Sequence, residues 1–342
     1  MQRSVAFTGL FVEHCGTPCA NHCRFCTIGN QRPDDLSFAR FAALMERLDE
    51  WRRQHRPADF DLVFDWMRAE NWDRETAAAM KQLHRRVMPQ IREMLFLGGI
   101  DFKPDTQLKA WLAERHSLGT DLIWASLAGN RELHDKWVGR RNDFDFNLKA
   151  LRLASELGYA RGEVLFLTKS TLPRLEPLMD SLDAIPGREW RKVRIVYYRG
   201  RGKRMMHERI TRDDFRRLPE RVLADLQERD SLKTEPEWRE WLRAQSSAAV
   251  LTTRLFLNVT AANIAALEAR PCDEIMDELE RRTREVFATL PEASYLSERY
   301  GSQESGDERL YPPGELERIW LDRYLQERSL SVERDLTPLT RY

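Results

Sequence analysis

Three cysteines near the beginning of the chain have the spacing Cys19-x3-Cys23-x2-Cys26. Four of the five cysteines fall between positions 15 and 26, and the fifth is Cys272. Thiolates are soft ligands, and three of them on one short loop can each bind one iron of a 4Fe–4S cluster, which leaves the fourth iron open. In a reducing compartment this clustering indicates a metal site or a set of reactive thiols rather than a disulfide framework.

Secondary structure must position this loop, and the first two thirds of the chain have the pattern of βαβ units. Short runs rich in Val, Ile, Leu and Phe alternate with stretches of helical periodicity, such as the one containing Phe38, Phe41 and Leu44. Right-handed crossovers would curl these strands into an open barrel. The sequence therefore predicts an α/β fold with a partial (β/α)6 barrel across residues 1–230. The predicted strands are 4–12, 60–66, 94–99, 121–127, 163–168 and 193–198.

Residues 231–342 have a different character, because amphipathic helical patterns dominate and strand patterns are rare. One possible strand spans 251–259, and a polar loop spans 301–308. We expect a mostly helical C-terminal extension that closes the barrel.

The cysteine loop follows the first predicted strand and precedes the first predicted helix. Ligand sites on parallel α/β sheets lie at the carboxyl ends of the strands. With Phe25 directly before Cys26, the motif strongly resembles that of the radical S-adenosylmethionine (radical SAM) superfamily. The resemblance implies an enzyme in which the amino and carboxylate groups of S-adenosylmethionine chelate the open iron of the 4Fe–4S cluster. One electron then cleaves this cofactor to methionine and a 5′-deoxyadenosyl radical, which takes a hydrogen atom from a substrate.

A second stretch, from Trp124 to Gly139, resembles the corresponding region of the peptide-modifying and cofactor-maturing members. There, polar residues at the strand end lie near the cofactor ribose. Ser126 and Asn130 are therefore candidates for binding the ribose hydroxyls, because a hydroxyl and an amide can each donate and accept hydrogen bonds. The alternative for both residues is an ordinary helix cap.

Many members carry Gly-Gly-Glu after the second strand, where it holds the cofactor ammonium, and this sequence departs from that pattern. It has Glu70 at the nearest equivalent position, with Asp65 as a rival, and a solvated surface carboxylate as the alternative. After the sixth strand, Arg199 is the candidate for the cofactor carboxylate, since Arg forms bidentate pairs. A loop of solvated charges is the alternative there.

Two further cysteines lie outside the motif. Cys15 precedes it by four positions and is interpreted as a small buried side chain, with a reserve-ligand role as the alternative. Cys272 lies at an apparent helix start, where the helix dipole lowers a thiol pKa. Radical epimerases of this superfamily quench the substrate radical with a thiol, so Cys272 is a candidate catalytic residue. Burial without chemistry is the commoner fate of a cysteine.

Charge and hydropathy restrict the kinds of molecule that this protein is expected to bind. The 342 residues include 55 Lys and Arg and 55 Asp and Glu, so the net charge is zero, which argues against nucleic-acid binding. No apolar run approaches the roughly 20 residues of a membrane span, and the N-terminal residues lack the pattern of a signal peptide. We therefore expect a cytoplasmic protein.

The absence of a cysteine-rich extension bears on the reaction. Only Cys272 follows residue 26, so one cysteine cannot provide full thiolate ligation of an auxiliary cluster. We therefore expect redox-neutral chemistry (epimerisation, elimination or rearrangement) on a small polar metabolite or natural-product intermediate, or else reduction with an external donor. The expected electron source is an external flavodoxin- or ferredoxin-like one-electron donor. One alternative is an enzyme that modifies a ribosomal peptide. Another is a non-catalytic scaffold stabilised by zinc, with His14 or His22 as an added ligand.

Overall fold

A computed structural model of the chain describes residues 4–14, 19–27, 34–66, 69–244, 250–302 and 308–328. Strands and helices alternate through its first two thirds, as the periodicity predicts. The strands are β1 (Ser4–His14), β2 (Asp61–Trp66), β3 (Met94–Phe96), β4 (Leu122–Leu127), β5 (Ala160–Leu167), β6 (Arg188–Ile195) and β7 (Val250–Asn258). The α-helices are α1 (Phe38–His55), α2 (Arg74–Val87), α3 (Asp105–Ser117), α4 (Arg131–Val138), α5 (Asp143–Glu156), α6 (Leu175–Asp183), α7 (Arg212–Arg216), α8 (Glu220–Ala224), α9 (Glu235–Ala244), α10 (Ile264–Ala269), α11 (Cys272–Thr289), α12 (Ala293–Tyr300) and α13 (Glu315–Glu327).

All strand pairs are parallel and form two sheets, with the orders β2-β1-β7 and β3-β4-β5-β6. Within the described residues no ladder joins β2 to β3. The expected α/β fold with a partial barrel is confirmed. The possible strand at 251–259 is present as β7 (Val250–Asn258), and it joins the sheet of the barrel by pairing with β1 from Ser4 to Glu13. The predicted domain boundary at residue 230 therefore separates β7 from β1 and β2, although the three strands form one sheet.

Several predicted strands differ in their bounds from the structure, and β3 and β6 show two different reasons. The strand β3 ends at Phe96 instead of residue 99, because the chain turns at Gly98 and Gly99, where φ of Gly99 is 77°. The strand β6 begins at Arg188 instead of residue 193, since its first half is charged and has no apolar run. This charged half is nevertheless a strand because it pairs with β5.

Each sheet has one face that packs on helices and an opposite face, here called the inner face. On the helix side, the sheet of β2, β1 and β7 packs against α1, α2, α10 and α11, with Leu10, Phe64 and Leu257 in the core. The sheet of β3 to β6 packs against α3, α5 and α6 in the same way, through Ile123 and Leu165. The alternate strand residues therefore line the inner face. They include Phe11, Glu13, Asp65, Phe96, Trp124, Ser126, Phe166, Lys192, Arg194, Phe256 and Asn258.

The C-terminal extension divides into two parts. The helices α10 and α11 return to the outer layer beside α1 and β7. The helices α9, α12 and α13 form a separate core around Trp320, and this core also includes Tyr198 and Met206 from the segment after β6. A buried ion pair of 2.7 Å between Arg209 and Glu315 joins that segment to α13. None of the described helices combines the length and apolarity of a membrane span.

Candidate functional site

The cysteine loop, residues 19–27, lies beyond the carboxyl end of β1 and is held by backbone hydrogen bonds to three segments that are distant in sequence. These segments are the turn after β3, the last two residues of α4 and the 3-10 helix Gly200–Glu208 after β6. The bonds run from Ala20 N to Gly99 O (3.0 Å), from His22 N to Val138 O (2.7 Å), from Arg24 N to Trp137 O (2.8 Å) and from Arg201 N to Cys26 O (2.8 Å).

A glycine with positive φ lies at each of these three contacts. A Cβ on Gly99 would overlap with Cys19 Sγ. A Cβ on Gly139 would come within 3.0 Å of the Cβ of His22, and one on Gly200 would meet the carbonyl oxygen of Cys26 at 2.5 Å. The backbone of each partner loop therefore approaches the cysteine loop more closely than a side chain would allow.

The three thiols of the loop are near one another. Burial raises the pKa of Cys19 and of Cys23, and neighbouring thiols raise both further, with Cys26 acting on both. Cys19 is exposed, while Cys23 and Cys26 are half-buried. Cys15 lies outside the described residues.

This set of donors fits a 4Fe–4S cluster better than a single metal ion. Three soft thiols come from one short loop, as the cluster requires, and the glycine contacts hold the loop in place. Among the residues that the structure describes, no three His, Cys, Asp or Glu side chains converge as ligands of one ion. His14 Nδ1 donates a hydrogen bond to Val259 O (2.8 Å), and His22 is exposed.

Phe25 packs inside the barrel and fixes the loop from within. Its ring centroid lies 4.2 Å from that of Phe166 on β5 and 6.4 Å from that of Trp137 at the end of α4. The neighbouring apolar side chains include Val196 and Met205. The aromatic residue before Cys26 is therefore part of a small apolar cluster that supports the loop.

A buried polar network under the loop was not assigned a role from the sequence. His134 Nδ1 accepts a hydrogen bond from Ala128 N (3.2 Å), and its Nε2 lies 3.0 Å from Asp143 Oδ2, which makes Nε2 the protonated nitrogen. Arg140 lies 3.6 Å from Asp143, and its Nη1 donates to Ile100 O at 2.6 Å and to Asn21 at 3.4 Å. The only sequence signal was a His and an Asp separated by nine positions, which is not specific.

Glu70 and Asp65 occupy different surroundings. Burial raises the pKa of Glu70 to about 7, while Arg115 and Lys81 act to lower it. Glu70 borders a cavity of about 160 Å³ next to α2 and β3, which also contains Lys81 and Glu93. Glu70 therefore shares this cavity with Lys81, Glu93 and Arg115.

Asp65 lies on the inner face at the end of β2. Its side chain is exposed, but surrounding protein still desolvates it and raises its pKa to about 6. His84 and Arg199 act to lower this pKa. The structure therefore brings Asp65, the rival candidate, and Arg199, which lies after the end of β6, into one electrostatic environment.

Ser126 and Asn130 lie at the carboxyl end of β4, but in different roles. Ser126 is half-buried on the inner face, and its hydroxyl makes no hydrogen bond to any described residue. Asn130 caps α4 by accepting a hydrogen bond from Leu133 N at 3.2 Å. The helix-cap alternative therefore holds for Asn130, and its amide nitrogen remains available as a donor.

Cys272 lies in the outer helix layer. It is the first residue of α11, half-buried, and its Sγ lies 3.8 Å from Arg47 O in α1. It packs against the helix-facing core of the β2-β1-β7 sheet. The prediction that Cys272 meets a substrate radical at the barrel mouth is therefore wrong for this structure, because the helix layer and the sheet separate it from the inner face.

No protein-family model matches this chain, and no curated protein matches it in sequence. Solved structures do match. SuiB from Streptococcus suis bound to its precursor peptide SuiA is 16% identical, with a TM-score of 0.44 over 73% of this chain and 49% of that chain. This chain thus spans about half the length of SuiB.

A second match covers nearly the whole length of both chains. The structure of anSMEcpe with bound AdoMet is 13% identical, with a TM-score of 0.51 over 94% of this chain and 97% of that chain. The same protein with AdoMet and the Cp18Cys peptide has a TM-score of 0.50, at 12% identity and the same coverage. The structural neighbours are radical SAM enzymes. This chain therefore has the partial-barrel fold of the radical SAM enzymes.

Proposed function

We propose that this protein is a radical SAM enzyme. The observation that carries the proposal is the loop with three neighbouring thiols, Cys19, Cys23 and Cys26, beyond the carboxyl end of β1 in a fold shared with anSMEcpe. The fold alone is compatible with many activities. The thiols add the one donor set that the chemistry requires.

In this proposal Cys19, Cys23 and Cys26 bind a 4Fe–4S cluster and the inner face binds S-adenosylmethionine. When bound, the cluster supplies the electron that cleaves the cofactor and so produces the radical that takes a hydrogen atom from the substrate. The chain itself holds the loop through Gly99, Gly139 and Gly200 and shields the site with Phe25.

The cofactor also needs partners for its amino acid and ribose groups. Asp65 and Arg199 share one electrostatic environment, which supports a role in binding the ammonium and the carboxylate, respectively. Glu70 is the alternative for the ammonium, with Lys81 and Arg115 as nearer partners. Ser126 has an available hydroxyl and Asn130 an available amide nitrogen for the ribose.

The inner face carries charges of both signs, including Glu13, Lys192 and Arg194. Such a surface suits a small polar metabolite or a natural-product intermediate better than an apolar ligand. Because only Cys272 follows residue 26, we propose redox-neutral epimerisation, elimination or rearrangement in a cytoplasmic enzyme that receives its electron from an external donor. The helices α9, α12 and α13 would close the site against water.

A second candidate is the modification of a ribosomal peptide. It is supported by the peptide complex of anSMEcpe, whose fold matches this chain over 94% of its length. A short precursor-peptide gene beside the gene for this chain would favour this candidate. A substrate that is a free metabolite would exclude it.

The test is cofactor cleavage by anaerobically purified protein reconstituted with iron and sulfide. We expect brown protein that forms 5′-deoxyadenosine when reduced, and a colourless, inactive Cys23→Ala variant. Cys272→Ala is the matched control and should retain its iron, because its thiol packs against α1. A colourless wild-type protein that binds zinc and forms no 5′-deoxyadenosine would instead indicate the non-catalytic scaffold.

A further inference from the structure

The cavity of about 160 Å³ beside Glu70 lies between α2, α3 and the first residues of β3. It is here called the Glu70 cavity, and its polar lining includes Glu70, Trp72, Lys81, Glu93, Arg115 and Thr120. The cysteine loop contacts the turn after β3, whereas the Glu70 cavity borders residues 91–95, before and at the start of that strand. The Glu70 cavity is therefore separate from the three thiols.

Two buried N–H groups on this lining have no acceptor among the described residues. They are Arg115 Nε and Trp72 Nε1. Arg115 is only 1% exposed, and its Nη2 donates to Trp72 O, so the two residues are in direct contact. Its Nη1 donates to Glu114, which leaves Nε as the one guanidinium nitrogen without an acceptor. Buried donors in proteins are normally satisfied, so two unused donors at one cavity indicate a place for the oxygen atoms of a ligand.

The charge of the lining favours an anionic oxygen. Lys81 is buried, donates to Thr120 Oγ1 and lies 3.5 Å from Glu93 Oε2. Glu93 also lies 3.3 Å from His84 Nδ1, so this one carboxylate serves two basic groups. A guanidinium with an N–H group to spare, next to a second cation, binds a carboxylate more strongly than a neutral acceptor.

Glu70 is the other group of the cavity that no described residue satisfies, since its carboxyl makes neither a hydrogen bond nor an ion pair there. Burial raises its pKa to about 7, so near neutral pH the carboxyl holds a proton about half of the time. A protonated carboxyl donates a hydrogen bond, and two neighbouring carboxyl groups can share one proton. The other titratable groups around Glu70 are Lys81, His84, Arg92, Glu93, Arg115 and Tyr159.

The volume of the cavity limits the size of a ligand. One water molecule occupies roughly 30 Å³ in the liquid, so the cavity of about 160 Å³ has room for roughly five non-hydrogen atoms. Met80, Leu95 and Trp124 provide an apolar part of the lining. A carboxylate on a short alkyl chain fits both the size and the mixed lining.

We propose that the Glu70 cavity binds a short monocarboxylate, such as acetate or propionate. The ligand oxygens accept hydrogen bonds from Arg115 Nε and Trp72 Nε1, and the carboxyl of Glu70 donates its proton to the same carboxylate. Binding forms no covalent bond, and Glu70 takes up a proton from the solvent wherever it was ionised before. The inference does not rest on the proposed function, which needs Glu70 only as the alternative to Asp65.

The experiment is equilibrium dialysis of radiolabelled acetate against the full chain without cluster or S-adenosylmethionine. We expect one acetate per chain for the wild type. Trp72→Phe removes the indole N–H and should weaken binding by about tenfold or more, because a hydrogen bond to a charged group is lost. Trp51→Phe is the matched control and should bind like wild type, since the Trp51 indole N–H bonds to Asp273 at 2.6 Å, outside the cavity. Equal affinities for wild type and Trp72→Phe would overturn the inference.

The pH dependence of binding is a second measurement. The affinity of the wild type should fall as pH rises above about 7, toward about tenfold per pH unit, because binding requires protonated Glu70. The amide of Glu70→Gln donates a hydrogen bond at every pH, so the affinity of this variant should not change between about pH 7 and pH 9. His84 is present in both proteins, so the loss of the pH dependence would assign it to Glu70.

Three results would overturn the inference. They are a pH dependence that persists in Glu70→Gln, no binding of acetate by the wild type at millimolar concentration, and binding of glycine but not of acetate, which would indicate a site for a zwitterion. A chain that binds acetate in this way but assembles no cluster would support the inference and overturn only the proposed function.

Discussion

Gly99 and Gly158 both have left-handed backbone conformations, with φ of 77° and 85°, but only Gly99 touches the cysteine loop. A Cβ on Gly99 would overlap with Cys19 Sγ, whereas a Cβ on Gly158 would meet no atom within 4 Å. A comparison of alanine substitutions at these two residues therefore distinguishes the effect of left-handed backbone strain from the effect of displacing a thiol. At the residue scale, contacts such as this one determine whether three cysteines become one binding site.

We predict that Gly99→Ala strongly lowers the iron and sulfide bound per chain, because Cys19 must move to make room. Gly158→Ala is the control. Both variants should lose roughly 1–2 kcal/mol of stability from left-handed strain, and Gly158→Ala should keep its iron content. The measurements are iron and sulfide analysis and thermal unfolding. Full iron content in Gly99→Ala would contradict the close packing of Cys19 on Gly99.

The pKa of about 6 for Asp65 predicts a pH dependence for cofactor binding. Only the ionised carboxylate attracts an ammonium strongly, so affinity for S-adenosylmethionine should fall below about pH 6, toward about tenfold per pH unit. The Asp65→Asn variant should bind S-adenosylmethionine weakly at every pH, and its affinity should not change near pH 6. The check is anaerobic equilibrium binding by reconstituted protein.

Glu70→Gln is the comparison for that measurement, since the pKa of Glu70 is about 7. If Asp65 binds the ammonium, the Glu70→Gln variant should keep the fall in affinity below about pH 6. If the pH dependence of the affinity instead persists in Asp65→Asn and is absent in Glu70→Gln, Glu70 is the partner of the ammonium.

Glu70 also predicts a change in stability. Its folded-state pKa of about 7 exceeds the ordinary value of 4.5, so the folded state binds more protons and its stability falls as pH rises through this interval. Glu70→Gln removes this cost. The variant without ligand should be more stable than wild type at about pH 8, by at most about 3 kcal/mol, and should have no such advantage near pH 4.

Glu93→Gln is the control for the stability measurement, because hydrogen bonds from His84 and Lys81 lower the pKa of Glu93 despite its burial. A carboxylate with a lowered pKa stabilises the folded state above its unfolded pKa, so this variant should be less stable at about pH 8. Thermal unfolding at both pH values measures the two effects. Equal differences from wild type at both pH values would contradict the shifted pKa of Glu70.

At the scale of elements, β5 and β6 carry charges on the side that packs on helices. Glu163 is fully buried and pairs with Arg161 on its own strand and with Arg191 on β6. Arg161 Nη2 also donates to Ile185 O at 2.6 Å, and Arg191 lies 2.8 Å from Asp183. The carboxylate therefore compensates two buried guanidinium groups between the strands and α6.

We predict that Glu163→Ala destabilises the protein by about 3–5 kcal/mol, because it leaves buried cations without their partner. Glu189→Ala removes a glutamate that is 43% exposed and pairs with Arg92, and it should cost less than about 1 kcal/mol. Urea unfolding of both variants measures the difference. Similar losses in the free energy of unfolding in the two variants would contradict the prediction that the buried Glu163 contributes more to stability than the exposed glutamate.

At the scale of the whole molecule, β7 ties the C-terminal extension to the barrel. Part of the core under the β2-β1-β7 sheet comes from residues after 250, and β1 would lose one neighbour without β7. The buried apolar side chains from this part are Leu255, Leu257, Val259, Ile264, Leu267, Ile275 and Met276. At roughly 2 kcal/mol each, their burial is comparable with the stability of a whole domain, about 5–15 kcal/mol.

We therefore predict that a chain ending at residue 230 does not unfold cooperatively. A chain ending at residue 328 keeps every described element and should unfold in one transition, so it is the control. Circular dichroism during thermal unfolding and limited proteolysis distinguish the two. A protease-resistant chain 1–230 with one sharp transition would contradict the role of β7 in the sheet.

The sequence by itself determined the features that depend on neighbouring residues. Apolar runs and helical periodicity predicted the order of the first six strands and their helices, because each pattern reflects one local environment. Cys19, Cys23 and Cys26 and the aromatic Phe25 were recognisable because they lie on one short loop.

Only the tertiary structure decided what depends on residues far apart in sequence. It paired β7 with β1, although the extension had been expected to be mostly helical, because strand pairing is a non-local interaction. It brought Asp65 near Arg199 and Glu70 near Lys81, and it placed Cys272 against α1. Residue type limits what a side chain can bind, but the packing of distant elements determines which side chains meet.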